Sequence, residues 1–176
     1  MSPFALLSGS EDATRGVGRA LGRSLRGGIT VLLDGGLGAG KTVLVRGIGD
    51  ALGASGVRSP SFTLVNEYPT PSLRLVHADL YRLDAQGAEA LGLEEHALSP
   101  DEVLIVEWPD RWASPPEDEV LRVAFSTLDE GHRLLEFQPC GEAAAAAAAA
   151  VFSEAAAGGC PGAGVCGGEW GGVHEG

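Results

Sequence analysis

The sequence predicts an α/β layer fold, a sheet flanked by helices with an antiparallel hairpin near its C-terminal end. Three observations predict it. Residues 29–33 (Ile-Thr-Val-Leu-Leu) and 103–106 (Val-Leu-Ile-Val) are short apolar runs rich in β-branched residues, the mark of buried strands. Segments of helical period lie before and between them, the clearest at 42–52. Residues 119–125 and 132–138 alternate in period two around Asp129-Glu130-Gly131, the pattern of a hairpin.

The elements follow in order. Ser10 or Asp12 is placed to cap a helix whose apolar positions are Val17, Leu21 and Leu25, and Gly27-Gly28 ends it. The first buried strand, 29–33, runs into a glycine-rich turn, and the helix from Thr42 stops at Gly53. Residues 61–67, between Pro60 and Pro69, read as a strand, and 73–77 as another. Residues 85–98 are partly helical, interrupted by Gly87 and Gly92. The run 103–106 is the cleanest strand and ends in Glu107.

Composition sets the outer limits. The 176 residues favour one domain with an appendage and suffice for a core without disulfides. Residues 143–176 hold 12 Ala and 9 Gly with no Lys or Arg, so the expected domain is 1–142 and the Ala/Gly-rich tail is expected to lack fixed structure. Cys160, Cys166 and His174 do not have the spacing of a zinc knuckle. The net charge is −12, and 12 basic against 21 acidic residues leave −9 on 1–142. Such a surface is unsuited to coating nucleic acid, which needs clustered basic charge, so an RNA-related role is expected to run through a partner protein. No run reaches the roughly 18 apolar residues of a membrane span, and the N-terminus lacks a secretory pattern, so a cytoplasmic protein without membrane contact is expected.

Of the 12 basic residues, 11 are Arg and one, Lys41, is Lys. Lys41 falls in Gly35-Gly-Leu-Gly-Ala-Gly40-Lys41-Thr42, which matches the Walker A pattern, with the strand before and the helix after that this pattern requires. Leu37, Gly38, Ala39, Gly40, Lys41 and Thr42 then wrap a nucleotide phosphate chain. Glycines allow backbone N–H groups to converge on an anion, Lys41 meets the β- and γ-phosphates, and the Thr42 hydroxyl ligates magnesium. The fold expectation sharpens to a P-loop NTPase-type sheet, with ATP and magnesium as cofactors. Glu107 ends a hydrophobic strand and is assigned to magnesium; Asp79 ends the strand 75–78 and is assigned to the γ-phosphate side, orienting water or sensing the nucleotide. Lys41, Asp79 and Glu107 are the expected catalytic set.

Four segments in this order resemble the TsaE (YjeE) family of ATPases of bacterial tRNA threonylcarbamoyladenosine synthesis. They are Gly38-Ala-Gly-Lys-Thr42, Ser59-Pro-Ser-Phe-Thr-Leu-Val-Asn-Glu-Tyr68, His77-Ala-Asp-Leu-Tyr-Arg-Leu83 and Val106-Glu-Trp-Pro109. The resemblance implies ATP on the P-loop, magnesium held by Thr42 and Glu107, and Asp79 needed for hydrolysis. It also implies an adenine pocket around residues 10–14, including Glu11, and Arg133 in the last hairpin. Gly36 stands where the family usually carries Asp, and the Ala/Gly tail has no counterpart there.

The resulting expectation is a magnesium-dependent ATP hydrolase, slow alone, that binds the TsaB–TsaD complex. It would reset that complex during modification of the adenosine next to the anticodon, touching tRNA only indirectly. A P-loop small-molecule kinase and a non-catalytic nucleotide-dependent assembly switch are the alternatives. His77 points away from Ala78 and reads as a packed or hydrogen-bonded side chain rather than a base. Trp108 either stacks on a base or partner or anchors the core. Arg82 is either an arginine finger in cis or the partner of Asp84 or Glu89.

Overall fold

The computed structural model describes residues 4–166. The elements run β1 (Phe4–Ser8), α1 (Glu11–Ser24), β2 (Thr30–Asp34), α2 (Lys41–Leu52), β3 (Val65–Pro69), β4 (Arg74–Asp79), α3 (Ala85–Glu89), α4 (Leu93–Ala97) and β5 (Glu102–Glu107). A 3-10 turn at Pro109–Arg111, β6 (Val120–Thr127), β7 (Arg133–Cys140), α5 (Glu142–Ala156) and β8 (Ala163–Val165) complete them. The described strands form one sheet in the order β3-β4-β5-β2-β6-β7-β1-β8. Its centre, β4-β5-β2-β6, is parallel; β3 on one side and β7, β1 and β8 on the other are antiparallel. The α/β sheet with a β6–β7 hairpin is therefore present as the sequence predicts.

The parallel register sets the site. Leu33 of β2 and Asp79 of β4 both pair with Glu107 of β5, so three strands end level. Alternation sends Val31, Leu33, Val103 and Ile105 to one face, where α1, α2 and α5 cover them. Leu32, Val76, Ala78, Leu104 and Val106 face the other way, toward Ala88, Leu93 and Trp112. Helices α1 and α2 cross at glycines: a Cβ at Gly18 would overlap the Leu44 carbonyl oxygen, and one at Gly47 the Arg15 carbonyl oxygen. Glycine in a helix interior costs about 0.5–1 kcal/mol relative to Ala, and here it permits close backbone contact between α1 and α2. Ser10 caps α1, its hydroxyl accepting from the Ala13 N–H at 3.0 Å.

Two expectations are corrected. Residues 61–64 form a turn, and β3 begins only at Val65. Leu64 takes a positive φ of 67°, and its carbonyl accepts from the Asp79 N–H at 2.9 Å, so the chain bends over the end of β4 before pairing with it.

The second correction concerns the domain boundary at 142. Residues 142–156 form α5, with Ala144, Ala147, Ala148, Val151 and Ala155 buried against the core. Phe152 meets Phe4 and Phe137 at ring-centroid distances of 4.7 and 5.5 Å. The Glu119 carboxylate accepts from the Glu142 and Ala144 N–H groups, each at 3.0 Å, and so satisfies the first turn in place of a side-chain N-cap. Strand β8 then adds to β1, pairing Leu6 with Val165 and Ser8 with Ala163. The helix packs without large apolar side chains along most of its buried face. Small side chains let α5 lie close to the sheet, so area is buried by proximity rather than by side-chain size. The rest of the tail, with His174, lies outside the described residues. Strand β1 was also missed, because it is defined by pairing with β7, about 130 positions away.

Truncation after Gly141 is expected to lower Tm by roughly 5–10 °C, a loss on the order of 2–3 kcal/mol for a domain of this size. Differential scanning calorimetry of the full and truncated chains measures it; an unchanged Tm would show that α5 adds no stability.

Candidate functional site

The loop between β2 and α2 lies at the level ends of the parallel strands. Gly40 sits at φ 106°, ψ 11°, the left-handed region that favours glycine, and no side chain caps α2 behind it. The first-turn N–H groups of α2 are thus left for a ligand, with the positive end of the helix dipole behind them. A Cβ at Gly40 would lie 3.3 Å from Arg133 Nε, which donates to the Ala39 carbonyl at 2.9 Å. Arg133, reaching from the start of β7, therefore braces the loop from outside.

Lys41 is 4% exposed, and Nζ donates to the Gly35 and Gly36 carbonyls at 2.5 and 2.9 Å. Nζ also lies 4.4 Å from the centroid of the Trp108 ring. Burial pulls the ammonium below the usual lysine range, and Glu107, Asp79 and Asp34 oppose that shift. Trp108 follows β5 at φ 60° and packs on Tyr81 with centroids 4.9 Å apart. It packs, partly buried, against the core cluster that holds Leu32, Val76 and Val106, and forms the wall against which the lysine rests.

The two expected acids are both buried, Asp79 at 5% and Glu107 at 4% exposure. Thr42 Oγ1 donates to Glu107 Oε1 at 3.0 Å, a hydroxyl and a carboxylate brought together from α2 and β5. This pair fits magnesium. Both are hard oxygen donors, and two adjacent ligands of an octahedral ion at about 2.0–2.1 Å lie about 2.9 Å apart. Asp79 is held differently: Oδ2 accepts from the Ser61 hydroxyl at 2.9 Å and Oδ1 from the Tyr81 N–H at 3.0 Å. Ser59 and Ser61 hydroxyls are 2.6 Å apart, extending the chain of hydrogen bonds out along the turn. The two acids thus occupy distinct positions, Glu107 beside Thr42 and Asp79 beneath the 59–64 turn.

One cleft of about 260 Å³ gathers these groups. Glu11, Leu37, Gly38, Ala39, Gly40, Lys41, Thr42, Asp79 and Glu107, all singled out in the sequence, line it, and Arg133 stands behind its floor. Ser59, Ser61 and Tyr81 line it as well and were not assigned roles from sequence. Reading 61–67 as strand hid Ser61; the Pro60 before it and the two hydroxyls were the available signal of a turn. Arg82 joins no described ion pair with Asp84 or Glu89; its guanidinium lies 4.8 Å from the centre of the Phe62 ring, outside the cleft. His77, fully buried, places Nε2 2.9 Å from Glu107 Oε1, a hydrogen-bonded side chain as expected. A phosphate-bearing ligand carrying a divalent cation suits this arrangement: open N–H groups, one ammonium and two separately held carboxylates.

Comparison with known proteins gives the family. A family model described as "Threonylcarbamoyl adenosine biosynthesis protein TsaE" matches residues 8–135. The tRNA threonylcarbamoyladenosine biosynthesis protein TsaE of Nostoc sp. is 38% identical over 134 residues, covering 73% of this chain and 82% of that protein. The protein of the same description from Aquifex aeolicus is 39% identical over 128 residues, covering 70% and 87%. That from Synechocystis sp. is 43% identical over 109 residues, covering 60% and 69%. The crystal structure of YdiB from Bacillus subtilis shares the fold, with a TM-score of 0.70 at 23% identity, over 88% of this chain and 97% of that one. The family model and these relatives match the sequence over most of the chain, and the chain belongs to the TsaE family of threonylcarbamoyl adenosine biosynthesis proteins.

Proposed function

We propose that this chain is a magnesium-dependent ATPase that binds the TsaB–TsaD complex and supports tRNA N6-threonylcarbamoyladenosine modification. Hydrolysis resets that complex between turnovers and does not form the new bond. The observation that carries the reading is the 3.0 Å contact of Thr42 with Glu107 beside the buried Lys41, at the mouth of an uncapped helix.

Each residue has one task. The loop 37–42 surrounds the phosphate chain with N–H donors, and Arg133 keeps that loop from opening. Lys41 exchanges the Gly35 and Gly36 carbonyls for phosphate oxygens, and its charge is worth more in a buried site than in water. Thr42 and Glu107 would hold magnesium, which would supply neutralisation of the charge developing on the phosphates. Asp79, fixed by Ser61 and the Tyr81 N–H, presents a carboxylate that aligns the attacking water. Glu11 lines the same cleft at the start of α1 and borders the base. No arginine other than Arg133 contacts the P-loop among the described residues. An arginine finger contributes about 10³–10⁵ in rate, so full turnover calls for a group supplied by the partner complex.

Lys41→Ala and Thr42→Ala are expected to reduce ATP turnover to background, Lys41→Ala also weakening nucleotide binding. Steady-state phosphate release measures both, and near-wild-type turnover in either would remove the nucleotide-site assignment.

The two acids separate in a binding assay. Glu107→Gln is expected to weaken the magnesium dependence of ATP binding by about tenfold or more. Asp79→Asn keeps binding and loses turnover. Equal losses of magnesium-dependent binding in both variants would reverse the division of roles.

Turnover alone is expected to be slow and to rise severalfold or more with the TsaB–TsaD complex, but not with tRNA alone. Measuring ATP turnover under these three conditions tests the whole reading. Stimulation by tRNA with none from the protein complex would point instead to a direct RNA-binding enzyme.

A further inference from the structure

His77 is a fully buried imidazole on β4, between β3 and β5, two residues before Asp79. Among the described residues its Nδ1 has no hydrogen-bond partner, and its one polar contact is Nε2 to Glu107 Oε1 at 2.9 Å. Burying a polar atom without a partner costs about 1–3 kcal/mol, and an apolar side chain of similar size would avoid that cost. The packing alone therefore gives no reason for an imidazole here. The reason lies in the remaining bond.

The contact is attractive when the proton sits on Nε2, since a bare Nε2 would set a lone pair against a carboxylate oxygen. With the proton there, Glu107 Oε1 accepts two hydrogen bonds, from His77 behind it and from Thr42 in front. Both donors converge on the same oxygen. Oε2 accepts none from the described residues, and Glu107 lines the cleft. Glu107 stands at the last position of β5, where its flexible side chain would otherwise sample several rotamers. His77 and Thr42 come from two different elements, β4 and α2, so together they fix the carboxylate in two directions.

We propose that His77 is the positioning residue of the metal-binding carboxylate. Nε2–H pins Glu107 Oε1 so that the carboxylate is held beside Thr42 for the cation without rotamer loss on binding. Resting on the magnesium assignment of the preceding section, the inference adds the group that prepares the ligand. His77 touches neither nucleotide nor metal and acts only through Glu107. Loss of such an outer hydrogen bond typically weakens metal affinity by about 10–100-fold.

Three variants of the full chain test it: His77→Leu, which removes the donor; His77→Gln, whose amide nitrogen replaces Nε2–H; and Glu107→Gln, which alters the ligand itself. The readouts are Tm, binding of a fluorescent ATP analogue in EDTA, and the magnesium concentration that half-saturates tightening of that binding. His77→Leu is expected to leave Tm within a few degrees and binding in EDTA unchanged, while raising the magnesium midpoint about tenfold. His77→Gln should return it to within about threefold of wild type. A midpoint within twofold in His77→Leu, where Glu107→Gln is clearly shifted, overturns the proposal, as does a His77→Gln variant no better than His77→Leu. Loss of Tm or of binding in EDTA in His77→Leu also overturns it and makes His77 a packing residue. If wild type shows no magnesium effect on binding, the magnesium assignment itself has failed.

Discussion

Lys41, Asp79 and Glu107 are each no more than 5% exposed, and ionised groups taken out of water cost several kcal/mol apiece unless they are paired. The surrounding structure meets that demand piece by piece. Lys41 has two loop carbonyls and the face of Trp108; Asp79 has Ser61 and the Tyr81 N–H; Glu107 has Thr42 and His77. Trp108, Ser61, Thr42 and His77 each come from a different segment from the charge they meet, so the charges stay satisfied only when β4, β5, α2 and the 59–64 turn are all in place. Removing one partner leaves the buried group with fewer hydrogen bonds to hold it in place.

Backbone proximity makes this possible. The glycine crossing brings α1 and α2 into backbone contact, and the first turn of α2 meets the end of β5 through Thr42 and Glu107. Gly40 completes the approach from the other side, and Arg133 from the hairpin closes against it. The antiparallel half of the sheet is thus more than an extension: through Arg133 it supports the loop on which the parallel half depends. The α5–β8 segment lies beyond the residues matched by the family model and contributes by covering the core behind β7 and extending the sheet at β1.

Much about the site is local in origin, and for that reason was legible in the sequence. A strand, a glycine-rich turn and a helix in succession place Lys41 and Thr42 without reference to anything distant. The apolar run ending in Glu107 likewise marks a strand end by itself, and membership of the TsaE family follows from segments of the same local kind. The sequence alone therefore determined the fold class, the loop and its lysine, and the two acids.

Tertiary structure decided how those pieces meet. That β4 lies beside β5 with Asp79 level with Glu107 depends on a pairing across 28 positions, which no periodicity encodes. The bend that carries Ser61 to Asp79, and the placement of His77 behind Glu107, exist only once that pairing has formed. The same holds for β1 and for α5: a five-residue strand and a run of alanines carry weak local signals, and become ordered because β7, β8 and the core offer them surface at close range. Local physics wrote the elements into the chain; burial of charge and of small side chains between distant segments determined their arrangement.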